Sequence, residues 1–88
     1  MRYTISYDLN APGKNYQALY DALAGLDAHR ILLSEWVTKR YDTNAPRLRD
    51  YLWQFMDTND RLMVTCLDST DWAGRNLKFD PNKLNKAA

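Results

Sequence analysis

The first residues of the chain alternate between apolar and polar. Tyr3, Ile5 and Tyr7 are separated by Arg2, Thr4, Ser6 and Asp8. A period of two predicts a strand with one apolar and one polar side, running into an acid at its end. Asn10-Ala-Pro-Gly-Lys14 then reads as a loop, because Pro-Gly interrupts regular structure. Asn15 is placed to cap a helix. Tyr16, Leu19, Tyr20, Leu23 and Leu26 follow at helical spacing on one face, with Gly25 marking the end. Residues 29–40 are rich in β-branched and aromatic residues without a helical period. They predict two short strands, about 29–33 and 35–40, with a turn near Ser34, or else one bent strand.

Thr43 or Asn44 can cap a second helix with Pro46 in its first turn, where the missing N–H costs nothing. Leu48, Tyr51, Leu52, Phe55 and Met56 form its apolar face. Asp57 to Asp60 is a turn. Arg61 to Leu67 reads as a strand that is apolar on both sides and so covered on both. Beyond it, Trp72, Leu77 and Phe79 sit among polar residues, as an extended arm or an extra strand, and Asn85 to Ala88 is expected to fray.

The order β-α-β-β-α-β predicts an α+β, ferredoxin-like fold. Two helices cover one face of a four-stranded antiparallel sheet, and the other face is expected to stay open. Residues 1–88 form one domain, with 68–88 as a C-terminal arm. A chain of 88 residues buries only about 60–65% of its unfolded surface, so pairing with a second copy would enlarge a thin core. No apolar run approaches the roughly 18–20 residues of a membrane span, and no basic segment followed by an apolar stretch suggests a leader. A single cysteine, Cys66, cannot close an internal disulfide and reads as a core residue. These features lead to the expectation of a cytoplasmic protein.

Net charge is +1, too small for a dedicated nucleic-acid coat, but it is unevenly spread. Arg30, Lys39, Arg40, Arg47 and Arg49 fall within residues 30–49 against only Glu35 and Asp42, while residues 50–71 carry five aspartates against Arg61. Basic segments that met in space would attract phosphate. One His and one Cys exclude an internal zinc cluster, and there is neither a Walker loop nor a GxGxxG sequence. The first and third strands lack the pattern of an RNA-recognition motif, although the strand order is the same.

Asp8 remains. It shares the polar side of the first strand with Thr4 and Ser6. At a strand end an Asp is either a turn residue bonded to the next loop or a metal ligand. A lone carboxylate binds Mg²⁺ poorly, but twofold symmetry would bring a second Asp8 to the same place.

Tyr7-Asp8 at the end of an N-terminal strand resembles the small CRISPR-associated protein two family. The short loop, the amphipathic helix, Ser34 at the following bend and Asn59-Asp-Arg-Leu-Met-Val-Thr65 extend the resemblance over residues 1–67. Ile5-Ser-Tyr-Asp-Leu-Asn10, Arg49-Asp-Tyr-Leu52 and Asn59-Asp60 are similar to a branch often labelled SinR-like. Virulence-associated protein D toxins are more distant relatives of the same shape.

The resemblance implies a homodimer packed through its open sheet faces, with the C-terminal segment reaching to the partner. Thr4 and Ser6, on the open face, are interface residues in that reading, and Trp72 and Phe79 either anchor the arm to the partner or pack on their own sheet. The resemblance also implies Mg²⁺ or Mn²⁺ held by Asp8 for cleavage of DNA or RNA. Tyr7, Lys14, Arg30, Arg40, Arg47 and Arg49 would hold the nucleic acid. Alternatives are a non-catalytic homodimeric scaffold that binds nucleic acid and a toxin-type ribonuclease. Trp53 lies off the apolar helical face and is either an interface candidate or a half-buried packing residue, whereas His29 reads as a surface strand residue.

Overall fold

A computed structural model describes residues 1–84; the expected fraying over 85–88 falls outside the described residues. The elements are β1 (Arg2–Asp8), α1 (Gln17–Gly25), β2 (His29–Leu32), β3 (Glu35–Lys39), α2 (Ala45–Trp53) and β4 (Arg61–Cys66). Short 3₁₀ turns follow at Leu67–Ser69 and Pro81–Lys83. The four strands form one sheet in the order β2-β3-β1-β4, with every neighbouring pair antiparallel. This is the ferredoxin-like arrangement: each helix carries the chain across an intervening strand.

Local chemistry sets the element ends. Asn44 caps α2 by accepting a 2.9 Å hydrogen bond from the Arg47 N–H, and a proline stands in the first turn. In α1 the Asn15 side chain accepts from the Gln17 N–H at 2.8 Å, but Tyr16 occupies the cap position itself. Gly25 is the last helical residue and not the left-handed one. Asp27 takes that role at φ 54°, with Asp27 N–H donating to Ala24 and Ala28 N–H donating to Leu23. This is the paired bonding of a Schellman stop, and Asp tolerates its left-handed residue better than most side chains do. Residues 29–40 resolve into two strands joined through Leu33 and Ser34, as expected.

The register decides which side chains share a face. Ile5 lies opposite Trp36 and Val64, so the Tyr3/Ile5/Tyr7 side of β1 looks onto the helices. These three pack with Leu19, Leu23, Leu48 and Leu52 in the main core. Thr4 lies opposite Val37 and Thr65, on the second face.

That second face is not open along its whole length. After β4 the chain turns back across it, and Leu67, Trp72, Phe79 and Leu84 pack against Ile31 and Val37 in a second core. The Phe79 ring stacks on His29 with centroids 4.1 Å apart and planes within 7° of parallel. His29 is therefore half-buried under the arm and not the surface residue its sequence suggests. Lys78 N–H donates to the Ile31 carbonyl at 3.0 Å, tying the arm to edge strand β2. Trp72 and Phe79 lie on the chain's own sheet.

The arm is fastened by Arg2. Its Nη2 and Nε reach Asp68 Oδ1 at 2.6 and 2.9 Å, and its main-chain N–H reaches Asp68 Oδ2 at 2.7 Å. Arg2 Nη1 also donates to the Pro81 carbonyl at 3.1 Å. The two side chains retain only 4% and 13% of their accessible surface. The other end of the second face stays bare. Met63 is 66% exposed, so β4 is covered on both sides only toward its C-terminal end, contrary to the reading of a fully sandwiched strand.

A buried charge left without its partner is costly, because it keeps its desolvation penalty and loses its compensation. Arg2→Met is expected to lower stability by about 3–5 kcal/mol in denaturant unfolding. Faster amide exchange at Lys78 is the accompanying sign of a released arm.

Candidate functional site

Asp8 ends β1 on the bare end of the second face. Alternation places Ser6 and Asp8 on the same side, and the register sets Ser6 opposite Glu35 and Met63, with Asp8 opposite Arg61. Together with Leu32 these residues line a shallow cavity of about 360 Å³. Asp8 Oδ2 is 3.6 Å from Arg61 Nη1, and both side chains are well exposed, at 64% and 77%. An ion pair so wet is worth about 0–1 kcal/mol, so either partner can exchange it for a ligand. Leu32 and Met63 line the cavity with exposed apolar surface, at 47% and 66%, and Leu33, next in the chain after Leu32, is 77% exposed. Of the residues expected at a dimer interface, Ser6 lies in this region. Thr4 is buried beneath the arm.

The residues expected to hold nucleic acid separate into groups. Tyr7 is buried on the helix side, where its hydroxyl accepts hydrogen bonds from Trp36 Nε1 at 2.9 Å and Arg30 Nη2 at 3.2 Å. The Arg30 guanidinium lies 4.7 Å from the Trp36 ring centre and 5.5 Å from that of Tyr20, and its buried Nε has no hydrogen-bond partner among the described residues. Its hydrogen bond to Tyr7 holds its pKa above the ordinary arginine value. Arg30 and Tyr7 therefore serve packing in this structure. Lys14 is exposed beside the Tyr16 ring. Arg49 is paired with Asp50 at 2.9 Å on the exposed side of α2. Arg40 and Arg47, seven positions apart across the β3–α2 loop, line one shallow cavity. Trp53, 39% exposed, stands beside Arg49 and Arg61, each of which already faces an aspartate.

Asp60, which the sequence places only as one residue of a turn, is a positioning residue that the local pattern does not reveal. It is buried at 5% exposure. Its carboxylate accepts from Asn10 N–H at 2.6 Å, from Asp57 N–H at 2.7 Å and from the Tyr16 hydroxyl at 2.7 Å. Burial by itself would raise its pKa. The two main-chain N–H groups and the Tyr16 hydroxyl, with Lys14 nearby, outweigh that and hold it below the ordinary carboxylate range. Asp60 thus pins the loop after β1 to the turn before β4, and so fixes the chain on either side of the Asp8–Arg61 pair. The signal available in the sequence was only that Asn59-Asp60 follows Asp57-Thr58 in a turn rich in side-chain acceptors.

No protein-family model matches the chain. Among the described residues no group of three or more His, Cys, Asp or Glu is placed to hold a metal ion. The Asp8 carboxylate is accessible and Glu35 lines the same cavity, so one copy offers two carboxylates there, and two copies facing each other would double that set. No helix among the described residues is long and apolar enough to cross a membrane.

Asp60→Asn is expected to cost about 2–3 kcal/mol at neutral pH, as hydrogen bonds to a charged acceptor are lost. Because the Asp60 pKa is lowered on folding, the unfolded chain takes up its proton first as pH falls. Its contribution is full above the ordinary carboxylate value near 4 and disappears as pH drops through the lower folded value. Urea midpoints of the two proteins should therefore converge between pH 7 and pH 2.

Proposed function

We propose that the protein acts as a homodimer that binds nucleic acid and hydrolyses phosphodiester bonds in DNA or RNA with Mg²⁺ or Mn²⁺ held at Asp8. The observation carrying this reading is an accessible carboxylate at the strand end, set in a part of the sheet's second face that the described residues of the arm leave bare. Exposed Leu32, Leu33 and Met63 beside it are the kind of surface a second copy covers. An isologous contact there brings the two Asp8 side chains toward a common axis. A bound divalent cation would supply Lewis-acid polarisation of a phosphate oxygen and a water of lowered pKa. Asp8 is the ligand in this scheme. Arg61, released from its weak pairing with Asp8, is placed to accept the charge of the phosphate. The resemblance to CRISPR-associated protein two over residues 1–67 supports the same assignment.

A second reading is a non-catalytic homodimer that holds nucleic acid. It is favoured by the resting pairing of Asp8 with Arg61 and by the small donor set that one copy supplies. Its prediction is salt-sensitive binding without turnover.

Asp8→Ala is expected to reduce Mg²⁺- or Mn²⁺-dependent cleavage of DNA or RNA by roughly 100-fold or more while leaving the dimer intact. An unchanged cleavage rate would remove Asp8 from the chemistry. Met63→Asp places a charge in the bare apolar patch and is expected to shift sedimentation toward the monomer. A dimer of undiminished affinity would locate the interface elsewhere.

A further inference from the structure

At the end of the sheet opposite Asp8 lies a second cluster that combines cations with exposed aromatic rings. Arg40 follows β3 and Arg47 belongs to the first turns of α2. Both line a cleft of about 290 Å³ together with Tyr41, Asp42 and Tyr51. Tyr41 is 61% exposed and Tyr51 42% exposed, although aromatic rings of this size are normally buried for the apolar area they carry. Lys39 Nζ lies 5.6 Å from the centre of the Tyr41 ring. With Asp42 the acid among them, Lys39, Arg40 and Arg47 leave this surface two positive charges in excess. The cleft beside Trp53 differs, since Arg49 and Arg61 are each offset there by an aspartate.

Two exposed rings flanked by guanidinium groups match what an unpaired nucleotide offers. Its base has a flat face that stacks on an aromatic ring, and its phosphate takes hydrogen bonds and charge from arginine. A duplex hides those base faces and presents phosphates alone. Arg40 Nη1 donates to the Leu26 carbonyl at 3.3 Å, which anchors the side chain beside the cleft. We propose that Arg40, Arg47, Tyr41 and Tyr51 form a binding surface for single-stranded nucleic acid, with the tyrosines stacking bases and the arginines holding phosphates. The inference rests on the nucleic-acid reading above but not on Asp8, whose strand end lies at the far side of the sheet.

Fluorescence anisotropy with labelled oligo-dT and oligo-rU decamers, and with a duplex of equal length, tests it in EDTA, so that binding is read without metal or cleavage. The expected result is preference for the single strands. Tyr41→Ala and Tyr51→Ala should each weaken single-strand binding by about tenfold. Tyr51→Trp should retain it, and Arg47→Gln should reduce the salt slope by about one. Comparison of the oligo-dT and oligo-rU affinities distinguishes DNA from RNA. Unchanged affinity in the two alanine variants, equal affinity for the duplex, or equally effective competition by polyglutamate overturns the proposal. Asp8→Ala should bind the decamers like the unaltered protein. Loss of its cleavage with unaltered binding supports both readings, whereas cleavage that persists in this variant removes Asp8 from the chemistry and leaves the single-strand surface standing.

Discussion

The guanidinium and the main-chain N–H of Arg2 both close on Asp68, sixty-six residues later in the chain. Without this contact, the residues after β4 would have little reason to turn back over the sheet. With it, Asp68 is held against the start of β1, the Pro81 carbonyl is drawn onto the same guanidinium, and the segment between them lies over Ile31 and Val37. The ion pair does not gain much from charge attraction alone, because desolvation offsets much of it. Its effect is positional. Once Leu67, Trp72 and Phe79 are delivered to the second face, burial of their apolar surface stabilises the arm at roughly 25 cal/mol for each Å² removed from water.

This arrangement divides the second face in two. Toward the start of β1 it is covered and forms a small core of its own. Toward the end of β1 it is bare, and there Ser6, Asp8, Glu35 and Arg61 meet exposed Leu32, Leu33 and Met63. The described part of the arm does not cover Asp8, whose side chain is 64% exposed. Asp60 completes the frame from the other side, fixing the loop that follows Asp8 and the turn that precedes Arg61 with one buried carboxylate. The chain thus has two chemically distinct ends, an acidic and apolar one at Asp8 and a cationic and aromatic one at Arg40 and Tyr41.

Two residues read from the sequence as possible nucleic-acid contacts, Tyr7 and Arg30, make structural contacts on the helix side of the sheet. Arg30 looked like one basic residue among five, but its place on β2 turns it toward the helix side, between Tyr20 and Trp36 and onto the Tyr7 hydroxyl. A linear charge count cannot separate it from Arg47, which stands in the first turn of α2 beside an open cleft. The same holds for Trp72 and Phe79. Their apolar character was plain, but the surface they would cover depended on where Arg2 and Asp68 met.

The elements themselves were legible in the residues, because their causes are local. Alternation in β1, the helical spacing of Leu19 and Leu23 and of Leu48 and Leu52, the Asn44 cap and the turn at Ser34 each arise within a few positions of chain. From these the α+β order and the ferredoxin-like sheet followed, and Asp8 could be placed at a strand end on the polar side. The tertiary structure alone decided the burial of Arg2 and Asp60, the stacking of His29 under Phe79, the coverage of half the second face, and the meeting of Arg40 with Arg47. Those outcomes depend on contacts between residues far apart in sequence, whose strength is set by burial and partner geometry that no local pattern encodes.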